Sequence, residues 1–375
     1  MARRAASDLA GLVALREFES LAREQLEPPV FDYIAGGAWD EQTLAANEAA
    51  WRAYRLRPRV LIDVGSVATA TNLLGMLASM PVAIAPMAAH GLADEAGEMA
   101  TARAAAGAGV PMTVSTMSSR SLEEVARAVP HGTHWFQLYT QADPGRSREL
   151  VERAAAAGYR ALIVTVDLPR LGYRERDRRH GFDLPPLGNF GSGEGPNHRP
   201  ELEGFSRLET VGHTLTWSDL ASIRSWTDVP LVLKGILTPE DARIALDHGV
   251  DGLVVSNHGA RQLDRVASGI EALPAIVDAV GGRVELLVDG GVRRGLDVVI
   301  ALAEGASGVL VGRPILWALA AGGQAGVERA LAVLRDELET AFALLGVRGP
   351  GEVQAAHVER PPAASARVER DRHGT

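Results

Sequence analysis

ELLVDGGVRRGLDVVIALAEGASGVLVGR, residues 285–313, decides the fold of this chain. An apolar run, Leu286-Leu287-Val288, stops at Asp289-Gly290-Gly291. A stretch with helical spacing covers 295–304, and a second apolar run at 308–311 stops at Gly312-Arg313. Neither run alternates apolar with polar residues, so each reads as a strand buried on both faces. Two such strands joined by a helical crossover form a parallel pair, which a short hairpin turn cannot connect. Glycines after each strand let backbone N–H groups approach a ligand, and the arginines suit a phosphate. Turn glycines without a ligand are the plainer alternative.

The same unit repeats upstream. Runs at 81–86, 111–116, 133–139, 161–167, 230–235 and 252–257 precede the two above, making eight. Alanine-rich stretches at 95–106, 122–128, 147–157 and 239–248 lie between several of them. Eight units predict an α/β fold, a closed (β/α)8 TIM barrel, with a doubly wound sheet as the alternative. Residues 1–60 are expected as a helical cap of the barrel and 61–350 as the barrel itself. The interval 168–229 is too long for an ordinary connection. Its Gly- and Pro-rich middle predicts a lid loop after strand 4, at about 175–215. Residues 351–375, charged and poor in apolar residues from Arg360 on, are expected as a disordered tail.

Composition excludes several classes. The chain has 375 residues, a net charge of −9 and basic residues scattered along its length, so no nucleic-acid partner is expected. With no cysteine there is neither a disulfide framework nor a thiolate metal site. No HExxH-like spacing occurs, and no metal is expected. The segment 64–93 lacks Asp, Glu, Lys and Arg, but Pro81 and Pro86 interrupt it. Its smooth stretches fall well short of the ~20 residues a membrane span needs. A cytoplasmic location without membrane contact follows by default.

In a barrel, function gathers at the C-terminal ends of the strands. Those ends are unusually polar here: Gln137 and Tyr139, Thr165 and Asp167, Lys234, Ser256 to Arg261, Asp289 to Arg293, Gly312 and Arg313. Lys234 has three readings: a structural cation, a Schiff-base nucleophile, or a charge opposing an anion on a cofactor. His258 and Arg261 offer a base and a carboxylate clamp three residues apart. A hydrogen-bonded structural histidine is the competing reading, which Asp167 as an orienting partner weakens.

The sequence resembles the FMN-dependent 2-hydroxy acid oxidase and dehydrogenase family over about 31–347. The motifs that carry the resemblance are FDYIAGGAWDE, RPRVLIDV, PVAIAPMA, FQLY, LTPEDA after Lys234, SNHGARQLD and LVDGGVRRGLDVVIALAEGASGVLVGRP. The resemblance implies FMN as cofactor and His258 as the base that takes a substrate proton, with Asp167 as its partner. Arg261 and Arg174 would bind the substrate carboxylate, assisted by Tyr33 and Tyr139. Lys234 would sit near flavin N1 and stabilise the reduced ring. Ser115, Gln137 and Thr165 would hydrogen-bond the flavin ring, as would the backbone of Pro86, Met87 and Ala88. Ser256 and Asp289 would complete the cofactor site, Asp289 at the ribityl chain, and Gly291, Arg293, Gly312 and Arg313 would hold the phosphate.

The implied reaction turns an (S)-2-hydroxy acid into a 2-keto acid. Ala88 stands where oxygen-avoiding relatives carry glycine, which favours O2 as acceptor and hydrogen peroxide as product, with a dehydrogenase using a non-oxygen acceptor as the alternative. The family commonly forms homotetramers, and the same is expected here. Met117 replaces a tryptophan common in members acting on glycolate, Ile34 a second tyrosine, and Met87 a threonine. A less polar pocket follows, with mandelate or 4-hydroxymandelate as the expected substrate and a glycolate- or lactate-like acid as the alternative.

Overall fold

The structure is a computed structural model that describes residues 9–190 and 215–360. Each of the eight apolar runs forms a strand: β1 (Val82–Ile84), β2 (Met112–Ser115), β3 (His134–Leu138), β4 (Leu162–Thr165), β5 (Leu231–Ile236), β6 (Gly252–Val255), β7 (Glu285–Val288) and β8 (Gly308–Val311). They pair in chain order, all parallel, and β8 pairs with β1 to close a barrel. Closure settles the architecture against an open doubly wound sheet. Among the described residues no helix is long and apolar enough to cross a membrane.

The period of two along a strand sorts the barrel interior into layers. Ala83, Trp135, Ile163, Val232, Val254, Leu287 and Leu310 form an apolar inner core. Two residues further along their strands stand Gln137, Thr165, Lys234, Ser256, Asp289 and Gly312, one layer nearer the mouth. A hairpin of Thr71–Leu73 and Met76–Ala78 closes the opposite end. Its Leu73, Leu74 and Met76 join the inner core, and Trp135 Nε1 donates to Met76 Sδ at 3.4 Å. The C-terminal mouth stays open to a ligand.

Much of the chain from 15 to 52 is helical, as its spacing predicts, but these helices help build the mouth rather than merely covering it. The first described helix, α1 (Leu15–Gln25), packs on the long helix after β8, Arg313–Leu345. The second, α2 (Pro28–Ala35), carries Tyr33 and Ile34 to the rim. On α3 (Gln42–Arg52), Asn47 exchanges two hydrogen bonds with Asn257, at 3.0 and 2.7 Å, and Trp51 donates to Gly290 O at 2.7 Å. Gly291 (φ +81) lies so close to this helix that a Cβ would sit 2.1 Å from Asn47 O. A glycine is needed there for helix packing, whatever it does for a ligand.

One boundary differs from expectation, and another is described only in part. The expected lid is described only to 190, where Glu175–His180 forms a short helix; residues 191–214 lie outside the described residues. The chain is still structured at Val358–Glu359, which pairs with Arg55–Leu56 beyond the expected tail start at 351. Burial of Val358 within the core cluster supplies the order that a charged composition does not announce. The expected tail beyond 360 lies outside the described residues.

Candidate active site

One cavity, open to solvent, occupies the barrel mouth. Of the side chains singled out from sequence, Tyr33, Pro86, Met87, Ala88, Ser115, Met117, Tyr139, Thr165, Arg174 and Lys234 line it, as do His258, Arg261, Asp289, Gly291, Arg293, Gly312 and Arg313. Asp167, Gln137 and Ser256 stand just behind, each bonded to a lining residue.

At one side lies a histidine–carboxylate dyad. Beyond the end of β6 the backbone turns left-handed at His258 (φ +59), Gly259 (φ +62) and Ala260 (φ +63). Left-handed backbone costs a non-glycine residue about 1–2 kcal/mol and here keeps the imidazole over the mouth. His258 Nδ1 stands 2.8 Å from Asp167 Oδ1, and Nε2 lies 3.2 Å from the Tyr139 hydroxyl. Burial holds His258 below its ordinary value of 6.5, against the opposing pull of Asp167. Burial would raise Asp167, but attraction and hydrogen bonding to His258, aided by Lys234, outweigh it and keep the carboxyl below its ordinary value. An ionised Asp167 beside a neutral His258 fixes the tautomer: Nδ1–H donates to the carboxylate and the Nε2 lone pair faces the cavity.

This dyad has a pH consequence. The base acts only when neutral, and its folded value lies below 6.5. The acid limb of kcat/KM should therefore fall below pH 6.5, dropping about tenfold per pH unit beneath it. Protonating His258 should also erode stability below pH 6.5, where the unfolded chain binds that proton more readily. A pH series of stopped-flow flavin reduction reads this limb, and a limb centred above 6.5 would contradict the assignment.

Lys234 projects from β5 between two partners, with Nζ 2.9 Å from Asp289 Oδ2 and 2.8 Å from Ser256 Oγ. Lys234 is engaged by Asp289 and Ser256 rather than left as a free amine, which favours the fixed-charge reading over a Schiff-base nucleophile. Ser256 Oγ also accepts from His258 N at 3.0 Å, tying the lysine to the dyad. Across the mouth Ser115 Oγ donates to Gln137 Oε1 at 2.9 Å. That leaves Gln137 Nε2 and Asp289 Oδ1 buried without a hydrogen-bond partner.

Positive charge crowds the rest of the wall. Arg261 donates to Tyr33 O and Gly36 O, Arg313 to Ile34 O and Gly36 O, and Arg174 to Arg261 O and the Gln262 side chain. These partners are carbonyl and amide oxygens rather than carboxylates. Burial and then Arg261 push Arg174 down to about 10. Burial and then Arg261, Arg293 and Arg174 hold Arg313 well below its ordinary value. Uncompensated buried charge is costly. A site with so many cations, an unpartnered amide donor and an unpartnered carboxylate oxygen fits a polar, phosphorylated cofactor together with an anionic substrate. FMN meets that description.

Several side chains here carry no role in the sequence reading. Leu168 and Leu184 line the cavity. Phe182 stacks on Tyr33 with ring centroids 4.6 Å apart, while the Arg261 guanidinium lies 4.9 Å from the Tyr33 ring centroid. Gln262 donates to Asp167 O and Arg170 O and accepts from Gly172 N, pinning the loop after β4. Gln262 was findable, because it lies inside SNHGARQLD. Leu184 and Phe182 carry no local signal, since only tertiary packing brings their segment to the mouth.

Comparison with known proteins agrees with this fold. The family model described as FMN-dependent dehydrogenase matches residues 22–360. L-lactate oxidase of Nostoc sp. is 49% identical over 89% of this chain and 94% of its own length. Glycolate oxidase of Spinacia oleracea is 45% identical over 92% of this chain and 95% of its own. A solved structure of mandelate oxidase with (S)-4-hydroxymandelic acid superposes with a TM-score of 0.85 at 45% identity, covering 93% of this chain and 98% of that one. With the motif-bearing residues gathered at one barrel mouth, this chain belongs to the FMN-dependent dehydrogenase family, as a 2-hydroxy acid oxidase-type flavoenzyme with FMN as its cofactor.

Proposed function

We propose that the enzyme oxidises an aromatic (S)-2-hydroxy acid, mandelate or 4-hydroxymandelate, to the 2-keto acid and passes the electrons to O2, giving hydrogen peroxide. The observation that supports this reading is that His258, its Nδ1 bonded to Asp167, lines one cavity together with Arg174 and Arg261. Arg174 and Arg261 hold the substrate carboxylate by charge-assisted hydrogen bonds, with the hydroxyls of Tyr33 and Tyr139 alongside. His258 takes a proton from the substrate, and Asp167 steadies the imidazolium that results. Bound FMN supplies the two-electron acceptor that couples the halves of the reaction. Substrate loses two electrons and two protons, and O2 gains both pairs.

The same reading assigns the cofactor's surroundings. Arg293, Arg313, Gly291 and Gly312 hold its phosphate, and Asp289 meets its ribityl chain. Ser115, Gln137, Thr165, Ser256 and the 86–88 backbone face its ring, with Lys234 as the fixed positive charge. Ala88 lines the cavity, and its small methyl supports access by oxygen.

Ile34, Met117, Leu168 and Leu184 supply the apolar lining for a substrate side chain. Burying a phenyl ring there stabilises binding by about 1.5–3 kcal/mol, or roughly 10- to 100-fold over glycolate. The lactate and glycolate oxidases among the relatives favour a short-chain alternative. Anaerobic mixing with glycolate, lactate, long-chain hydroxy acids and both mandelate enantiomers separates the two. Flavin absorbance should bleach at least about tenfold more efficiently with (S)-mandelate than with glycolate. Bleaching by glycolate alone would remove the aromatic assignment.

A further inference from the structure

Strand β5 carries one residue more than β6 at the barrel rim. Lys234 pairs with Val254, Ile236 pairs with Val255, and Gly235 is left between them. Such a bulge re-aims side chains near an active site, and this one accompanies the turn of Lys234 into the mouth. Gly235 has φ +114, a conformation that side-chain-bearing residues rarely adopt.

What faces Gly235 is the dyad. A Cβ at this position would lie 2.6 Å from Asp167 Cβ, 2.6 Å from its Cγ and 2.9 Å from its Oδ2. All three separations are far inside the ~3.5–4.0 Å at which non-bonded carbon atoms attract. Asp167 cannot yield freely. Its Oδ1 is held by His258 at 2.8 Å, its carbonyl accepts from Gln262 Nε2 at 2.9 Å, and Val166 N just before it donates to Lys234 O at 2.9 Å. Oδ2 is buried without a hydrogen-bond partner. On that side the carboxylate is therefore placed by packing against Gly235.

We propose that Gly235 is a positioning residue: the bulge that aims Lys234 also presents the side-chain-free surface on which the Asp167 carboxylate seats to face His258 Nδ1. The inference rests on His258 being the catalytic base. Gly235 acts through Asp167. A side chain at 235 displaces the carboxylate, and His258 loses both its orientation and the attraction that raises its proton affinity.

The test compares Gly235→Ala, Asp167→Asn and the double variant, each purified with FMN bound. Gly235→Ala should keep FMN yet be reduced by 2-hydroxy acid about 100-fold more slowly, as expected for a displaced catalytic group. Its acid limb should move to lower pH. Added to Asp167→Asn, it should change the rate by less than about twofold, because the two residues act as one unit. Equal losses in both backgrounds, or a Gly235→Ala rate equal to wild type, would overturn the proposal. Melting curves read the contact without activity. The loss of Tm in Gly235→Ala should be partly recovered by Asp167→Gly, which removes the clashing atoms, whereas backbone strain at 235 alone gives no recovery and refutes the contact. If 2-hydroxy acids fail to reduce the wild-type flavin, the functional reading falls, and the melting comparison still decides whether Gly235 seats Asp167.

Discussion

Replacing His258 with alanine lowers the anaerobic rate of flavin reduction by about 10⁴-fold and leaves FMN bound, the upper range for a positioned general base. The fold tolerates the change. Alanine at φ +59 pays the same backbone cost that histidine already pays. The losses are specific: Tyr139 loses the ring stacked at a centroid distance of 6.3 Å, and Asp167 loses the bond that draws its carboxyl below the ordinary range. None of these contacts involves the arginines at 293 and 313, so cofactor retention and catalysis separate in this variant. Stopped-flow absorbance of the FMN-loaded variant measures both. A rate within tenfold of wild type would remove His258 from the role of base.

The second large effect belongs to Arg261. Arg261→Met keeps much of the stem volume and removes the guanidinium, and kcat/KM for flavin reduction should fall about 10³-fold. That magnitude follows from the ~2–5 kcal/mol lost when one partner of a buried, hydrogen-bonded charge pair is truncated. Most of the loss should appear in KM if the charge holds substrate and transition state alike, with a share in kcat if charge on the substrate oxygen grows. Arg261 also donates to Tyr33 O and Gly36 O and lies against the Tyr33 ring. FMN content and melting temperature are therefore measured alongside. A variant that keeps wild-type kcat/KM, or that still distinguishes mandelate from mandelamide, would show that the carboxylate binds elsewhere.

The barrel was legible because its evidence is local and repeated. Each strand is a continuous apolar run closed by glycine or a polar residue, and the period of two then fixes which polar residue faces the mouth. Lys234, Ser256 and Asp289 follow directly from Val232, Val254 and Leu287 by that rule. The glycine-arginine turns after β7 and β8 were legible for the same reason. The walls of the mouth were legible only through the family resemblance. Tyr33 and Ile34 come from a helix about 225 residues before His258 in the chain, and nothing local predicts that α2 reaches the rim. Leu184 and Phe182 sit in a segment without periodicity. The glycines carry mixed meanings: Gly291 is needed where Asn47 crosses it, and Gly235 where Asp167 does. A sequence motif shows both as glycine and leaves the reason to the packing.

The most direct test of the central claim follows both products in air-saturated buffer. With (S)-mandelate, the FMN-loaded enzyme should form 2-keto acid and hydrogen peroxide in about equal amounts while consuming an equal amount of O2, the balance that two-electron transfer requires. Keto acid that appears only with an artificial electron acceptor would contradict the assignment of oxygen. No keto acid and no change in flavin absorbance with any 2-hydroxy acid would contradict the account as a whole.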